Sequence, residues 1–326
     1  MQPSTHAHNR TAVLMPNWLG DCLCALAVIT RRYSSEPAGP ALIVPPQFFG
    51  LLSELSDYVL IPYKRKSHEE LQETFSLVRR EWFERVYILP HSFSSALFAF
   101  RCGISERVGI RAELRSVLLT KRIPASRASR KSHLIKEYAA VFGSDEFDPG
   151  SWEGMPFADD ARFADHDYTV FCPGARFGPA KQWPGFTALA GIMADTQVLV
   201  LGDSHDREQA ELIAQTAPDR ITNMAGETGL ADAARILAGA KCVVANDSGL
   251  MHLAGYLGAP VVGIFCSTSP PWTHPLGKAS QAVTAEIQCR PCFKRTCKYG
   301  HYKCHSLITP ERVARLAAKA MKGDAQ

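Results

Sequence analysis

The stretch CVVANDSGLMHLAGYLGAPVVGIF, residues 242–265, reads as a β-rich strand, a polar turn Asn246-Asp247-Ser248-Gly249, an apolar helix and a second β-rich strand. A strand–helix–strand unit of this kind has parallel strands, because the helix carries the chain back across the sheet. Working back toward the amino terminus, the same alternation recurs. YTVFCPGA (168–175) is a strand, and WPGFTALAGIMA (183–194) opens a helix. QVLVLGDS is a strand and HDREQAELIAQTA an amphipathic helix. RITNMAG is a short strand and LADAARILAGA a helix. Toward the carboxyl end, TPERVARLAAKAMKG closes the chain as a helix, with Thr309 as N-cap, Pro310 at the first position and Gly323 beyond the last turn.

The first half repeats the pattern. AVLMP is a strand, followed by a helix from about Asp21 to Tyr33. ALIVPP and YVLIPY are strands, and Ser67 to Arg80 is a charged helix. RVYILPHSF is a strand with a helix from about Ser94, and ERVGI a short strand. Short connections between alternating strands and helices imply parallel sheets covered on both faces. The polar, Gly- and Pro-containing stretch 147–167 is the expected linker. The reading is α/β, with two doubly wound domains at 1–155 and 156–326, the terminal helix packing back toward the first domain. Ligands of such sheets bind at the carboxyl ends of the strands, and a two-domain chain is expected to use the cleft between them.

The chain has 326 residues, 46% hydrophobic and 21% charged, enough to bury sizeable cores. Net charge is only +4, but residues 101–136 hold ten Lys and Arg against two Glu. Such a segment suits either a solvated surface or an anionic partner. The absence of aromatic residues between Ile104 and Leu134 argues against single-stranded nucleic acid. No apolar run reaches the ~18 residues of a membrane span, and MQPSTHAHNRT has no hydrophobic signal core. A cytoplasmic protein touching a membrane peripherally is expected.

Three loops carry candidate chemistry. The 246–252 turn and helix start offer backbone N–H groups and a partial positive charge to a diphosphate, although ordinary capping by Asp247 or Ser248 fits the same residues. In FCPGARFGPAKQWPGF (171–186), Lys181 and Arg176 are cations at a strand's carboxyl end, placed to neutralise a leaving phosphate or simply exposed to solvent. In VLGDSHDREQA (200–210), Asp206 is either an acceptor for ribose hydroxyls or a helix-start acid. In PNWLGD (16–21) the lone acid Asp21 would repel a phosphate; it suits a general base for an acceptor hydroxyl, or a helix cap. A nicotinamide-dependent dehydrogenase would need a Gly-x-Gly-x-x-Gly turn, and the sequence has none.

PNWLGD, PGARFGPAKQWP, ANDSGLMHLAGYLGAPVVGIF and CFKRTCKYGHYKC…ITPERV together resemble the ADP-heptose:lipopolysaccharide heptosyltransferases of glycosyltransferase family 9, nearest to the heptosyltransferase II branch, from about Val13 to Val313. The resemblance implies a GT-B fold, with two Rossmann-like domains facing across a cleft. It implies inverting, metal-independent transfer from ADP-L-glycero-D-manno-heptose to the lipid A-linked inner core, at the cytoplasmic face of the inner membrane. By position, Asp21 matches the catalytic base and Lys181 the phosphate-contacting lysine. Asp247, Ser248, Gly249, Leu250 and His252 match the donor loop. Asp206 aligns loosely with an acid on the ribose, and Arg176 stands where other members carry a small hydroxyl residue or an acid. Asn17, Trp18, Arg107, Arg111 and Arg115 are the acceptor-side candidates. A different glycan acceptor or heptose position, or a non-catalytic nucleotide-sugar or metal-binding module, are the alternative readings.

The chain has ten cysteines. Cys289, Cys292, Cys297 and Cys304, with His301 and His305 nearby, have spacings that fit a structural zinc ion, an iron–sulfur cluster, a disulfide or reduced thiols. No cofactor is expected to be needed for the transfer itself.

Overall fold

The computed structural model describes residues 10–125, 130–144, 147–164 and 166–322. The chain divides into two compact units, 1–130 with 134–147, and 131–133 with 148–326.

The amino-terminal unit carries six parallel strands: β1 (Thr11–Leu14), β2 (Ala41–Val44), β3 (Leu60–Pro62), β4 (Arg85–Ile88), β5 (Glu106–Ile110) and β6 (Lys121–Ile123). They are ordered β3-β2-β1-β4-β5-β6. Its helices are α1 (Leu19–Tyr33), α2 (Phe49–Leu55), α3 (His68–Arg80), α4 (Phe93–Arg101) and α5 (Leu134–Val141). The carboxy-terminal unit carries β7 (Tyr168–Cys172), β8 (Gln197–Val200), β9 (Ile221–Asn223), β10 (Cys242–Asn246), β11 (Val261–Phe265) and β12 (Ser280–Thr284), ordered β12-β11-β10-β7-β8-β9. Its helices are α6 (Phe186–Ile192), α7 (Arg207–Ala214), α8 (Leu230–Ala238), α9 (Gly249–Leu257), α10 (Pro270–Thr273), α11 (Lys303–Ser306) and α12 (Pro310–Met321).

Counted from its own first strand, each sheet runs 3-2-1-4-5-6, the doubly wound dinucleotide-binding order. All registers are parallel; Val243 lies beside Val261 on one side and Val170 on the other. The central strands are buried at every position, which is why their sequences are apolar throughout rather than alternating. The strand order reverses between β1 and β4, and again between β7 and β10. The crevices outside the carboxyl ends of those pairs are where such sheets take ligands.

Two sequence expectations shift. Residues 148–155 are not a free linker: Trp152 stacks on Tyr256 at 5.2 Å and its indole N–H donates to the Tyr256 carbonyl (2.7 Å), while the Met155 amide donates to the same oxygen. They belong to the carboxy-terminal unit, with the boundary at 147/148. Helix α12 packs on α6 and on β10, β11 and β12 of its own unit, burying Val313, Ala317 and Ala320. Thr309 does cap it, accepting from the Arg312 amide; Gly323 lies outside the described residues. Finally β6, β12, α2 and α5 join the elements read from sequence. The two strands are edges, and an edge strand with one covered face has little apolar sequence to show.

Candidate functional site

In the amino-terminal unit, β1 ends at Leu14 and the chain turns through Pro16, Asn17 and Trp18 into α1. Gly20 is buried. Trp18 occupies the N-cap without a side-chain cap bond, so Asp21 is not the cap; it is the acid of the first turn, a position the helix dipole favours. Its Oδ1 accepts a hydrogen bond from the Tyr138 hydroxyl at 3.0 Å. Tyr138 reaches it because α5 packs against α1. Next to Tyr138, the buried Glu137 pairs with His91 Nε2 at 2.6 Å. Arg65, after β3, donates to Asn17 Oδ1 (3.1 Å) and lies over the Tyr63 ring. Asn17 and Trp18 are exposed.

The basic segment divides. Arg115 is 2% exposed; its guanidinium donates to the carbonyls of Pro90 (2.7 Å) and Ile88 (3.5 Å), and burial pushes its pKa down to about 10. Arg107 donates to the carbonyls of Leu118 (2.7 Å) and Ile104 (2.5 Å). Both therefore hold the backbone together instead of presenting charge to an acceptor. Arg111 alone of the three is exposed.

In the carboxy-terminal unit, three loops at the switch point are tied into one body. Asn246, fully buried at the end of β10, accepts from the Trp183 amide (3.2 Å) and donates to the Pro173 carbonyl (2.5 Å). The Trp183 indole N–H is shared between the carbonyls of Ile308 (2.9 Å) and His305 (3.2 Å). These bonds fix the short helical turn Pro179–Lys181 and thereby Lys181.

Lys181 Nζ lies 2.7 Å from Asp247 Oδ2 and 3.1 Å from the Asp247 carbonyl oxygen. Thr268 donates to the same carboxylate at 2.6 Å, and His252 Nε2 sits 3.8 Å from its other oxygen. Burial alone would raise the Asp247 carboxyl; the Lys181 ammonium and His252 outweigh it and hold the group well below the ordinary carboxylate range. Asp247 is thus a buried, charged anchor for Lys181 rather than a ligand for an anion. Ser248 is the N-cap of α9 and makes no side-chain cap bond. With Gly249 and Leu250 it opens the helix half-exposed, so the first N–H groups of α9 are presented at the crevice. His252 is buried one turn in, and its Nδ1 has no hydrogen-bond partner.

Asp206 folds back on its own turn: Oδ2 accepts from the Asp203 amide at 3.0 Å. A Cβ on Gly174 would stand 2.1 Å from that oxygen, so the Pro173-Gly174 turn packs against the acid. Burial raises the Asp206 carboxyl against the amide bond that lowers it. Arg176 is exposed and pairs with Asp203 (2.5 Å).

The four clustered cysteines are free thiols. Among the described residues no group of three or more His, Cys, Asp or Glu side chains is arranged to hold a metal ion, which removes support for a zinc or iron–sulfur site at Cys289, Cys292, Cys297 and Cys304. The backbone N–H groups of Tyr302, Tyr299, Gly300 and His301 are directed at the Cys297 sulfur and hold its thiol below the usual range, while Cys304 is buried. The segment packs instead on the donor-side loops. The Cys292 and Phe293 amides donate to the Ser267 carbonyl, and the Ala180 amide donates to the Arg295 carbonyl. Arg290 donates to the carbonyls of Cys266, Ala285 and Thr268 and to the Thr284 hydroxyl.

Sequence reasoning missed Thr268, Tyr138 and Arg65, and placed Asn246 in the polar turn without its role as a tie between loops. Only Asn246 carried a signal, as a polar residue closing an apolar strand.

Residues 73–303 match the family model described as glycosyltransferase family 9 (heptosyltransferase). The chain belongs to glycosyltransferase family 9. It is 27% identical over 332 residues to lipopolysaccharide heptosyltransferase 2 of Escherichia coli K12, covering 92% of this chain and 95% of that protein. It is likewise 27% identical to lipooligosaccharide heptosyltransferase 2 of Haemophilus influenzae, covering 92% of this chain and 95% of that one. The structure of E. coli ADP-heptose heptosyltransferase II superposes with a TM-score of 0.81 at 27% identity, covering 97% of this chain and 99% of that one. The two Rossmann-like units of this family 9 member are those of the GT-B fold, and the protein is a glycosyltransferase.

Proposed function

We propose that this family 9 glycosyltransferase moves L-glycero-D-manno-heptose from ADP-heptose to the inner core of lipopolysaccharide, with inversion at the anomeric carbon. One observation carries the reading: the ion-paired Lys181 stands beside the half-exposed start of α9, at the crevice where the second doubly wound sheet reverses. The likeness to heptosyltransferases over nearly the whole chain points the same way.

In this scheme the donor diphosphate binds the N–H groups of Ser248, Gly249 and Leu250 and the remaining donor of Lys181, with His252 toward the sugar and Asp206 and Arg176 toward the nucleoside side. Asp21, oriented by Tyr138, takes the proton of the acceptor hydroxyl. That oxygen attacks the anomeric carbon opposite the diphosphate; the C–O bond to ADP breaks, and Lys181 with the helix start stabilises the charge that develops there. A single displacement needs no covalent intermediate and no second carboxylate, and no cofactor enters the scheme. Asn17, Trp18, Arg65 and Arg111 would meet the acceptor's phosphates and carboxylates.

No helix among the described residues is long and apolar enough to cross a membrane. The enzyme would therefore reach its lipid-anchored acceptor peripherally, at the cytoplasmic face of the inner membrane.

The test is Asp21→Asn, assayed as ADP release from ADP-heptose with core-truncated lipopolysaccharide. Turnover should fall by about 10²–10⁴-fold, the usual contribution of a positioned base, with ADP affinity by calorimetry unchanged. Parallel loss of affinity and turnover would make the residue structural and overturn the assignment.

A further inference from the structure

Seven large apolar side chains are exposed among the described residues of the amino-terminal unit. Trp18, Phe49, Phe93 and Leu114 each stand four or five residues past the carboxyl end of β1, β2, β4 or β5, and Val117 follows Leu114 by three. Because the sheet is parallel throughout, those strand ends share one edge. Trp82 and Phe100 lie instead toward the far ends of their connections. A bias of this size is not the single scattered apolar residue that any surface carries.

Leu114 and Val117 are the most exposed of the five, at 76% and 75%. They stand three residues apart on the 3-10 helix Glu113–Leu118, where positions i and i+3 eclipse, so both project from one face. That helix is firmly built. Arg115, between them, turns inward and clamps the carbonyls of Pro90 and Ile88. Ser116 Oγ donates to the Ala112 carbonyl (3.2 Å), and Arg122 Nε to the Ser116 carbonyl (3.0 Å). Two aliphatic side chains are thus held in water by a rigid support.

The surroundings are cationic. Between Arg107 and Arg122 the sequence has five cations and one acid, Glu113. Arg107 and Arg115 are committed to backbone; Arg111, Lys121 and Arg122 are exposed on the chain to either side of the knuckle, with Arg122 held against it by its bond to Ser116. An apolar wedge ringed by cations fits an anionic bilayer surface, where aliphatic groups enter the headgroup region and guanidinium and ammonium groups stay among lipid phosphates.

We propose that this edge of the amino-terminal sheet docks on an anionic lipid bilayer, with Leu114 and Val117 inserted and Arg111, Lys121 and Arg122 against the headgroups. The proposal deepens the peripheral membrane reading above and rests on it. Its test needs neither donor nor acceptor, so its failure leaves the transfer chemistry standing.

The experiment is flotation of the full chain with vesicles rich in phosphatidylglycerol, alongside neutral phosphatidylcholine vesicles. Wild-type protein should float with the anionic vesicles, and less so as salt rises. Leu114→Ser/Val117→Ser should lower the partition coefficient at least about tenfold, as expected when two aliphatic groups no longer leave water. Trp82→Ser, on the opposite edge and 80% exposed, should leave it unchanged. Thermal melts of both variants should overlay wild type. Unchanged flotation of the double variant, equal loss with Trp82→Ser, or no wild-type flotation would each overturn the proposal. So would a dimer in light scattering that Leu114→Ser/Val117→Ser dissociates, since that face would then belong to a second copy of the chain.

Discussion

Replacing Asp247 by Asn tests whether the donor crevice is held by a buried charge pair. The substitution keeps the side-chain shape and a carbonyl oxygen for Thr268, but removes the charge opposite Lys181 Nζ at 2.7 Å. Asp247 is 3% and Lys181 14% exposed at the side chain, so water replaces the lost partner poorly. Breaking one side of a buried pair typically costs about 3–5 kcal/mol. For a unit of this size each kcal/mol lowers Tm by about 2–4 °C, so the affected transition should fall by about 10 °C in calorimetry. Lys181→Met should cost a similar amount, and the double variant Lys181→Met/Asp247→Asn less than the sum by about 2 kcal/mol or more, because no uncompensated charge is left. Additivity of the two single costs within about 0.5 kcal/mol would refute the pair. The acid limb supplies an independent check. The Asp247 carboxyl is held below its unfolded value of about 3.9, so its stabilising contribution is present above that pH and disappears as pH falls toward the folded value. Asp247→Asn should therefore lose less stability than wild type on acidification below about pH 4.

Three further outcomes follow from the geometry. Tyr138→Phe removes the donor to Asp21 and should lower kcat about tenfold with the ADP-heptose KM unchanged, read by steady-state ADP release. Gly178→Ala places a Cβ 2.7 Å from the Arg295 carbonyl at a φ of +139°; it should cost about 1–3 kcal/mol in thermal melts and weaken ADP binding, because the Gly178 carbonyl accepts the Lys181 amide. Cys297, with its thiol held low by backbone N–H groups, should be alkylated by iodoacetamide at neutral pH well before the buried Cys22, Cys24 and Cys172, whose thiols burial pushes up, as peptide mass spectrometry would resolve.

The doubly wound order was legible because central parallel strands advertise themselves: AVLM, ALIV, YTVFC, CVVAN and VVGIF are apolar at nearly every position, and turns with Gly or Asp separate them from helices. The edges were not legible. Lys121–Ile123 is three residues with two exposed charges, and Ser280–Thr284 has one fully buried position, so neither carries enough apolar sequence to register as a strand. Which members of the cationic run 101–136 face solvent was not legible, for a different reason. Charge counted along the chain does not distinguish an arginine that faces solvent from Arg115, whose stem is long enough to turn inward and satisfy carbonyls 25 and 27 positions away. For the four cysteines, spacing along the chain left metal, disulfide and free thiol open, and the structure has free thiols.

The site shows how a motif residue acquires its job only in three dimensions. Asp247 and Lys181 were each legible as members of donor-side loops, Lys181 as a phosphate contact and Asp247 as part of the turn around the diphosphate and heptose or as a helix cap. Sixty-six positions apart in sequence, they meet each other, and the charges cancel within the protein. A lysine has three N–H donors; the Asp247 carboxylate and carbonyl oxygens engage two of them, which under the proposed function leaves one for a phosphate oxygen of the donor. On that proposal the field at the phosphate would come chiefly from the first N–H groups of α9, which would stay fixed while charge develops on the leaving group. That division of labour favours the transition state, because an oriented donor needs no reorganisation when the glycosidic bond breaks, whereas a free surface lysine must be ordered at that moment. It also gives a role to the supporting frame, in which the hydrogen bonds of Asn246, Trp183 and Thr268 leave Lys181 and Asp247 little freedom to be anywhere else.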